Sequence, residues 1–258
     1  MLPNKKSLTL IFALLFASAG VLAQAIQAPK GTAVNQLSYK GQSAIGVAQL
    51  FIDRKDYVAA LKQAERAIGF DPKSGVPYMV KAFIFDQQKE FKKANSTYLK
   101  AIALSPNSGQ VLNAYAVHLC QQGQYDAADA NFMKATRDQN YPSPNEAFEN
   151  AAQCNFQNNN LTLAEDRTRS ALAINPESVN ALEIMTEVKF RQSNFFEARA
   201  FMQRREALGP LSASLLQLAQ QIEKSAGDDR AAAQYQKQLE ILLQAQIQPP
   251  TGEGQKKP

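Results

Sequence analysis

The residues of this 258-residue chain that could do chemistry are two cysteines, one histidine and scattered carboxylates. The sequence contains no Gly-rich phosphate loop, His-Glu-x-x-His pair, Cys-x-x-Cys pair or nucleophile elbow. Because His118 is the single histidine of the sequence, a general base would have to be a carboxylate. Pairs such as Asp126 with Asp129, however, are spaced like ordinary helix-surface charges. We therefore predict no enzyme, no cofactor, no metal site and no small-molecule substrate, and we expect His118 to be a packed or half-exposed side chain.

The two cysteines, Cys120 and Cys154, lie 34 residues apart. They fall near the ends of two helices that we predict to be spatial neighbours. In an exported protein, two thiols on adjacent helices favour a disulfide. Closing a loop of this size would stabilise the fold by about 3–4 kcal/mol. The alternative is two buried, unpaired cysteines, because free Cys is commonly buried. We predict the bond, and mass analysis of the unreduced protein should find no free thiol.

The elements that position these residues repeat with a period of 34. Prolines recur at spacings of 34, 36, 34 and 34 residues, at Pro72, Pro106, Pro142, Pro176 and Pro210. Alanines recur at three phases of the same period, beginning at Ala48, Ala60 and Ala67. The extra two residues of the 36-residue step lie around 141–144. Such a period is typical of tetratricopeptide repeats (TPRs), which are helix-turn-helix units. The sequence therefore predicts an all-α TPR fold, a right-handed superhelical solenoid.

Six repeats can be placed, and each is a hairpin of a helix A and a helix B. Their predicted ranges are 41–74, 75–108, 109–144, 145–178, 179–212 and 213–246. A single hairpin cannot cover its own apolar stripe, so the repeats stack and form one domain. A larger side chain at Ala82 or Ala94, where helices A and B approach, would cost roughly 1–3 kcal/mol.

The two ends of the chain differ from the repeats. Lys5 and Lys6 precede an apolar run over 8–22, and small residues surround Ala23 and Ala25. This is the pattern of a secretory signal peptide, which we place at 1–23, although an uncleaved membrane anchor is the alternative. A lead-in at 24–40 and a polar tail at 247–258, predicted to be disordered, flank the repeats.

The charges of the chain are mixed along its length. Without Lys5 and Lys6, the sequence contains 26 basic and 23 acidic residues. Nucleic-acid binders cluster their positive charge, whereas here the basic residues are scattered among acidic ones, as in Asp53-Arg54-Lys55-Asp56. We therefore interpret the charges as solvated helix faces and expect no nucleic-acid partner.

A protein partner is predicted to lie along the groove lined by the A helices of the first three repeats. TPR grooves are lined mainly by positions 2, 5, 9, 12 and 13 of helix A. In this chain these positions include Ile45, Gln49, Ile52, Val76, Met79, Phe83, Asn113, Val117 and Gln121. From the fourth repeat onward they become polar, as at Glu146, Glu149 and Gln153. An apolar patch open to solvent marks a binding site. The alternative is that neighbouring A helices cover these side chains.

Several segments resemble one known family. They are 113–125 with Ala128, Phe132 and Ala135, then Tyr141-Pro142, Asn150-Ala-Ala-Gln-Cys154, 167–171, and Gly227-Asp228 with Tyr235 and Leu239. Together they look like the type IV pilus biogenesis/stability family (PilF/PilW), over about residues 41–243. Leu119-Cys120-Gln121-Gln122-Gly123 and Cys154 make the likeness specific, because TPR packing does not require them.

The resemblance implies a pilotin that faces the periplasm of a Gram-negative bacterium. Such a protein helps the pilus secretin assemble in, or reach, the outer membrane, and it would be peripheral to that membrane through its partner. Family members typically carry a lipidated cysteine at the mature N-terminus. Here the first cysteine is Cys120, so no such anchor is expected, and Ala152 replaces a frequent Gly. The competing interpretation is another periplasmic TPR adaptor, for instance one that recruits cell-wall enzymes. A third interpretation is a hydrolase, but the sequence shows no residues arranged for that chemistry.

Overall fold

The computed structural model describes residues 37–247, and within this range all regular structure is helical. The twelve helices of the described range are α1 (Tyr39–Asp53), α2 (Tyr57–Phe70), α3 (Gly75–Gln87), α4 (Phe91–Leu104), α5 (Gly109–Gln121), α6 (Tyr125–Ala135), α7 (Pro144–Gln157), α8 (Leu161–Ile174), α9 (Val179–Arg191), α10 (Phe195–Glu206), α11 (Ala213–Ser225) and α12 (Asp229–Ile247). The predicted signal peptide, most of the lead-in and nearly all of the tail lie outside the described residues.

The chain divides into two compact units, residues 1–147 and 148–258. The described part of the first unit contains α1–α6 and the start of α7. The second contains the rest of α7 and α8–α12. Consecutive helices pair within each unit, as α1 with α2 and α3 with α4 in the first, and α9 with α10 in the second. The predicted all-α array of helical hairpins is confirmed. The division falls inside α7, directly after the two extra residues that the sequence places around 141–144.

Short polar residues start the helices, and a repeated backbone conformation turns helix A into helix B. Ser38, Asp56 and Ser74 each accept a hydrogen bond from the first turn of the helix that follows. The turn residue at repeat position 15 has a positive φ in all six repeats, at Lys55, Lys89, Gly123, Asn159, Ser193 and Gly227. The A-to-B turn therefore requires a residue in the left-handed backbone conformation. Gly adopts this conformation without strain, whereas Lys does not.

The recurring alanines form the closest helix contacts. At all three phases they are fully buried in the first unit, at Ala48, Ala82, Ala116, Ala60, Ala94, Ala128, Ala67, Ala101 and Ala135. A single apolar cluster runs through this unit from α1 to α5 and includes Ile45, Met79 and Val111. The second unit has its own cluster, which includes Met202, Leu215 and Leu239. Each core is built across consecutive hairpins, as stacked repeats require.

The extra residues before α7 pack against the first turn of α5. Tyr141 is buried with Leu112, Ala135 and Ala147. A Cβ at Gly109 would lie 2.6 Å from the Tyr141 Cβ, so only glycine fits beneath this ring. The Gly109 N–H also donates to a carboxylate oxygen of Asp138 at 2.7 Å. The insertion thus forms a packed joint and not a loose loop.

Candidate protein-binding surface

Most side chains at the predicted groove positions are buried in the first unit. Ile45, Ile52, Val76 and Met79 all belong to its apolar cluster, and Met79 has no exposed surface. The expectation that these four side chains are open to solvent is wrong. They are covered because each A helix packs against the A helix of the next repeat, as the shared cluster of α1, α3 and α5 shows.

A narrower part of the predicted groove is accessible. Phe83 on α3 and Val117 on α5 are half-buried, and Gln121 is exposed. Phe83 and Val117 occupy repeat position 9 in consecutive repeats, where the first repeat has the buried Gln49. Asn113, the remaining predicted residue, is also buried. Phe83, Val117 and Gln121 form the accessible row of the groove. The apolar surface that this row offers to a partner is therefore the pair Phe83 and Val117.

A buried polar cluster joins α3, α4 and α5. The Nδ1 atom of His118 lies 2.7 Å from Oδ1 of Asp86, and both side chains are buried. The Tyr98 ring contacts the His118 ring, with centroids 5.3 Å apart. Burial, followed by the charge of Asp86 and a hydrogen bond to it, raises the pKa of Tyr98 well above its ordinary value. These contacts fix the second and third repeats against each other, because an unpaired member would carry a large desolvation cost.

Sequence reasoning missed this cluster. His118 was expected to be packed or half-exposed, and it is buried against a carboxylate from the preceding repeat. The available signal was the pair of polar residues, Asp86 and His118, near the ends of consecutive A helices that are otherwise apolar. Buried charged residues are almost always paired.

Acidic groove positions in the second unit serve structural roles. Glu149 accepts hydrogen bonds from the Ser178 hydroxyl at 2.7 Å and from the Asn180 amide at 3.0 Å. Glu183 accepts one from the Arg205 guanidinium at 2.6 Å. Burial, together with the charge of Glu183, raises the pKa of Glu187. The polar groove positions of this unit are thus largely occupied by internal contacts.

Cys120 on α5 and Cys154 on α7 are both disulfide-bonded, and neither is a free thiol.

Within residues 37–247, no three His, Cys, Asp or Glu side chains come together in a way that could hold a metal ion. In the same range, no helix combines the length and apolarity needed to cross a membrane.

Comparison with known proteins defines the class first. The model of a family described as tetratricopeptide repeat matches residues 97–130, which run from α4 through α5 into α6. Together with the stacked helical hairpins, this match confirms the predicted all-α TPR fold. No curated protein sequence matches the chain.

The solved structures then point to particular relatives. PilW, described as a widely conserved type IV pilus biogenesis factor, is 26% identical with a TM-score of 0.72, over 80% of this chain and 95% of PilW. Pseudomonas aeruginosa PilF is 24% identical with a TM-score of 0.69, over 81% of this chain and 94% of PilF. YrrB, a TPR protein with an unusual peptide-binding site, shares the fold at 17% identity and a TM-score of 0.55, over 73% of this chain and 93% of YrrB. The resemblance to type IV pilus biogenesis proteins is confirmed.

Proposed function

We propose that this protein is a non-enzymatic, pilotin-like TPR scaffold of the periplasm that supports type IV pilus biogenesis. It assists the assembly of the pilus secretin or its localisation in the outer membrane. The observation that carries this proposal is the similarity to PilW, which extends over 95% of PilW and so is not limited to one generic repeat. TPR folds present shaped surfaces to other proteins, which agrees with a protein partner and with action by binding.

The first unit supplies the surface through which we expect the scaffold to bind. Phe83 and Val117 are half-buried apolar side chains at the same position of consecutive A helices, and Gln121 is exposed one helical turn beyond Val117. An amphipathic or extended segment laid along such a row would use the two apolar side chains as anchors. In the second unit, the acids at groove position 5, Glu149 and Glu183, are engaged in internal hydrogen bonds.

The test uses a deletion strain of the source bacterium, complemented with the full chain or its variants. Deletion is expected to reduce detergent-resistant secretin multimers and surface pili, and the wild-type gene should restore both. Phe83→Glu with Val117→Glu should fail to restore them, because two carboxylates would be desolvated in the contact. The matched control is Leu50→Glu with Val58→Glu, which changes two exposed apolar residues of the same unit.

The outcomes distinguish the proposed pilus role from the proposed Phe83/Val117 binding surface. Normal multimers and pili in the deletion strain would contradict the proposed function. Full rescue by the Phe83/Val117 variant would reject this surface and leave the pilus role standing. Circular dichroism of each purified variant checks that helicity is retained.

A further inference from the structure

A second surface of the first unit runs along the seam between α3 and α4. On α3, Tyr78, Lys81 and Phe85 are spaced by three and four residues and so share one face. On α4, Lys93 and Lys100 are seven residues apart and also share a face. The Lys100 ammonium lies 4.5 Å from the centre of the Tyr78 ring, and the Lys93 ammonium lies 5.6 Å from the centre of the Phe85 ring. These five residues form the lysine–aromatic strip.

The cations of the lysine–aromatic strip have weak internal partners. Lys81 contacts Glu65 of α2 at 3.2 Å, but the Glu65 side chain is 61% exposed. Lys93 pairs with Glu90, and its own side chain is 64% exposed. Lys100 makes no ion pair with any residue in 37–247. Exposed ion pairs contribute only about 0–1 kcal/mol, so an external carboxylate can compete with them.

The charge of α4 is one-sided. It carries three lysines, Lys92, Lys93 and Lys100, and no acidic residue. Two apolar side chains on the same helix are also exposed, Phe91 at 39% and Leu99 at 49%. Every other described helix that has two or more basic residues also has an acidic residue. The exposed surface of α4 therefore combines positive charge with apolar side chains, and it is complementary to a ligand that combines negative charge with apolar side chains.

We propose that the lysine–aromatic strip binds an acidic segment of a protein partner. Lys93 and Lys100 are separated by about 10.5 Å along the helix axis, at 1.5 Å per residue. In a polyproline II segment, which has three residues per turn and a rise of 3.1 Å per residue, carboxylates three residues apart share one side and lie about 9 Å apart, close to this separation. The segment would place one carboxylate near each lysine and an apolar side chain between them, against the Tyr78 and Phe85 rings.

The geometry favours a peptide over an anionic membrane. Tyr78 and Phe85 are half-buried with ammonium groups over their rings, so the rings are not free to insert into a bilayer. The Lys93 and Lys100 ammonium groups instead lie over two separate rings, Phe85 and Tyr78, and such separate positions suit discrete carboxylates. The proposal rests on this geometry and is independent of the pilus role.

The test measures fluorescence anisotropy of a labelled peptide with the purified full-length repeat protein at physiological ionic strength. The peptide contains Glu-Leu-Phe-Glu between Gly-Ser flanks, and its control contains Gln at both Glu positions. Lys93→Glu with Lys100→Glu should weaken binding of the Glu peptide by about tenfold or more, since two attractive contacts become repulsive. Lys134→Glu with Lys237→Glu makes the same change in net charge at exposed sites elsewhere and should alter binding by less than about twofold.

Each other outcome overturns the proposal. No binding of the Glu peptide, equal binding of the Gln peptide, or an equal loss in the Lys134/Lys237 variant would show that the strip does not select carboxylates. Binding to phosphatidylglycerol vesicles that requires Lys93 and Lys100, without peptide binding, would make the strip a membrane surface. Dimerisation in analytical ultracentrifugation that is lost in the Lys93/Lys100 variant would make a second copy the occupant.

Discussion

The second repeat, in the first unit, and the fifth repeat, in the second unit, fill the same positions with opposite chemistry. Position 11 is Phe85 in the second repeat and Lys189 in the fifth. Position 19 is Lys93 in the second repeat and Glu197 in the fifth. The second repeat therefore places an exposed cation over an aromatic ring. The fifth repeat places a buried cation between carboxylates.

The contacts of Lys189 are strong and internal. Its ammonium lies 2.7 Å from Glu165 and 2.8 Å from Glu197, and the Lys189 side chain is only 6% exposed. Glu165 also accepts hydrogen bonds from Gln192 at 2.9 Å and from Arg169 at 2.6 Å. Burial lowers the pKa of Lys189, but the two glutamates outweigh this effect and raise it. The cation is thus satisfied within the fold.

The residue at a given repeat position therefore has no fixed role. At position 11 of the fifth repeat, Glu165 and Glu197 from neighbouring helices make Lys189 part of the structure. At position 19 of the second repeat, Lys93 pairs with Glu90, but its side chain is 64% exposed and stays available for a partner.

The largest effect is expected from removal of the buried cation. Lys189→Ala should lower the free energy of unfolding by about 2–3 kcal/mol, because it leaves two carboxylates facing each other without their counter-charge. Lys93→Ala at position 19 of the second repeat should change it by less than about 0.5 kcal/mol. Urea unfolding followed by circular dichroism measures both. Equal effects of the two changes would contradict the contrast.

The second effect is a dependence of stability on pH that comes from Glu165. Burial raises its pKa, but hydrogen bonds from Lys189, Gln192 and Arg169 dominate and lower it to about 2, from an ordinary 4.5. A group whose pKa is lowered by folding contributes stability above its unfolded pKa and loses it as the pH falls through the folded one. Stability should therefore decline between about pH 4.5 and pH 2.

Glu165→Gln is the matched variant for this measurement. It should be less stable than the wild type at neutral pH and should lose less stability on acidification. Denaturant midpoints recorded from pH 7 to pH 2 give the two slopes. Parallel slopes would show that Glu165 does not titrate with the lowered pKa.

The smallest effect concerns the left-handed turn residue. Lys89 has φ of 61°, so Lys89→Gly should stabilise the protein by about 0.5–1 kcal/mol through relief of backbone strain. Asn159 in the second unit has φ of 58°, but Asn tolerates this conformation, so Asn159→Gly should gain less. Gln88→Gly, at a residue with φ of −83°, is the control and should not stabilise. Thermal unfolding midpoints rank the three variants.

The sequence predicted the fold well because the period is a local property. The spacing of the prolines and alanines located the hairpins, and the alanines of the first unit are buried as expected. Exposure along the groove was not predictable, because packing between consecutive A helices decides it. Met79 and Phe83 occupy standard groove positions, yet only Phe83 retains exposed surface. The Asp86–His118 and Lys189–Glu165 pairs join residues more than twenty positions apart, and their pairing depends on side-chain directions in three dimensions.

The most direct test of the account is affinity capture of the mature protein from detergent-solubilised envelopes of its own bacterium. We predict that the pilus secretin is enriched with the wild-type protein. We predict that the secretin is lost with Phe83→Glu plus Val117→Glu and retained with Leu50→Glu plus Val58→Glu. Capture of cell-wall enzymes without the secretin would contradict the account and favour the other adaptor role.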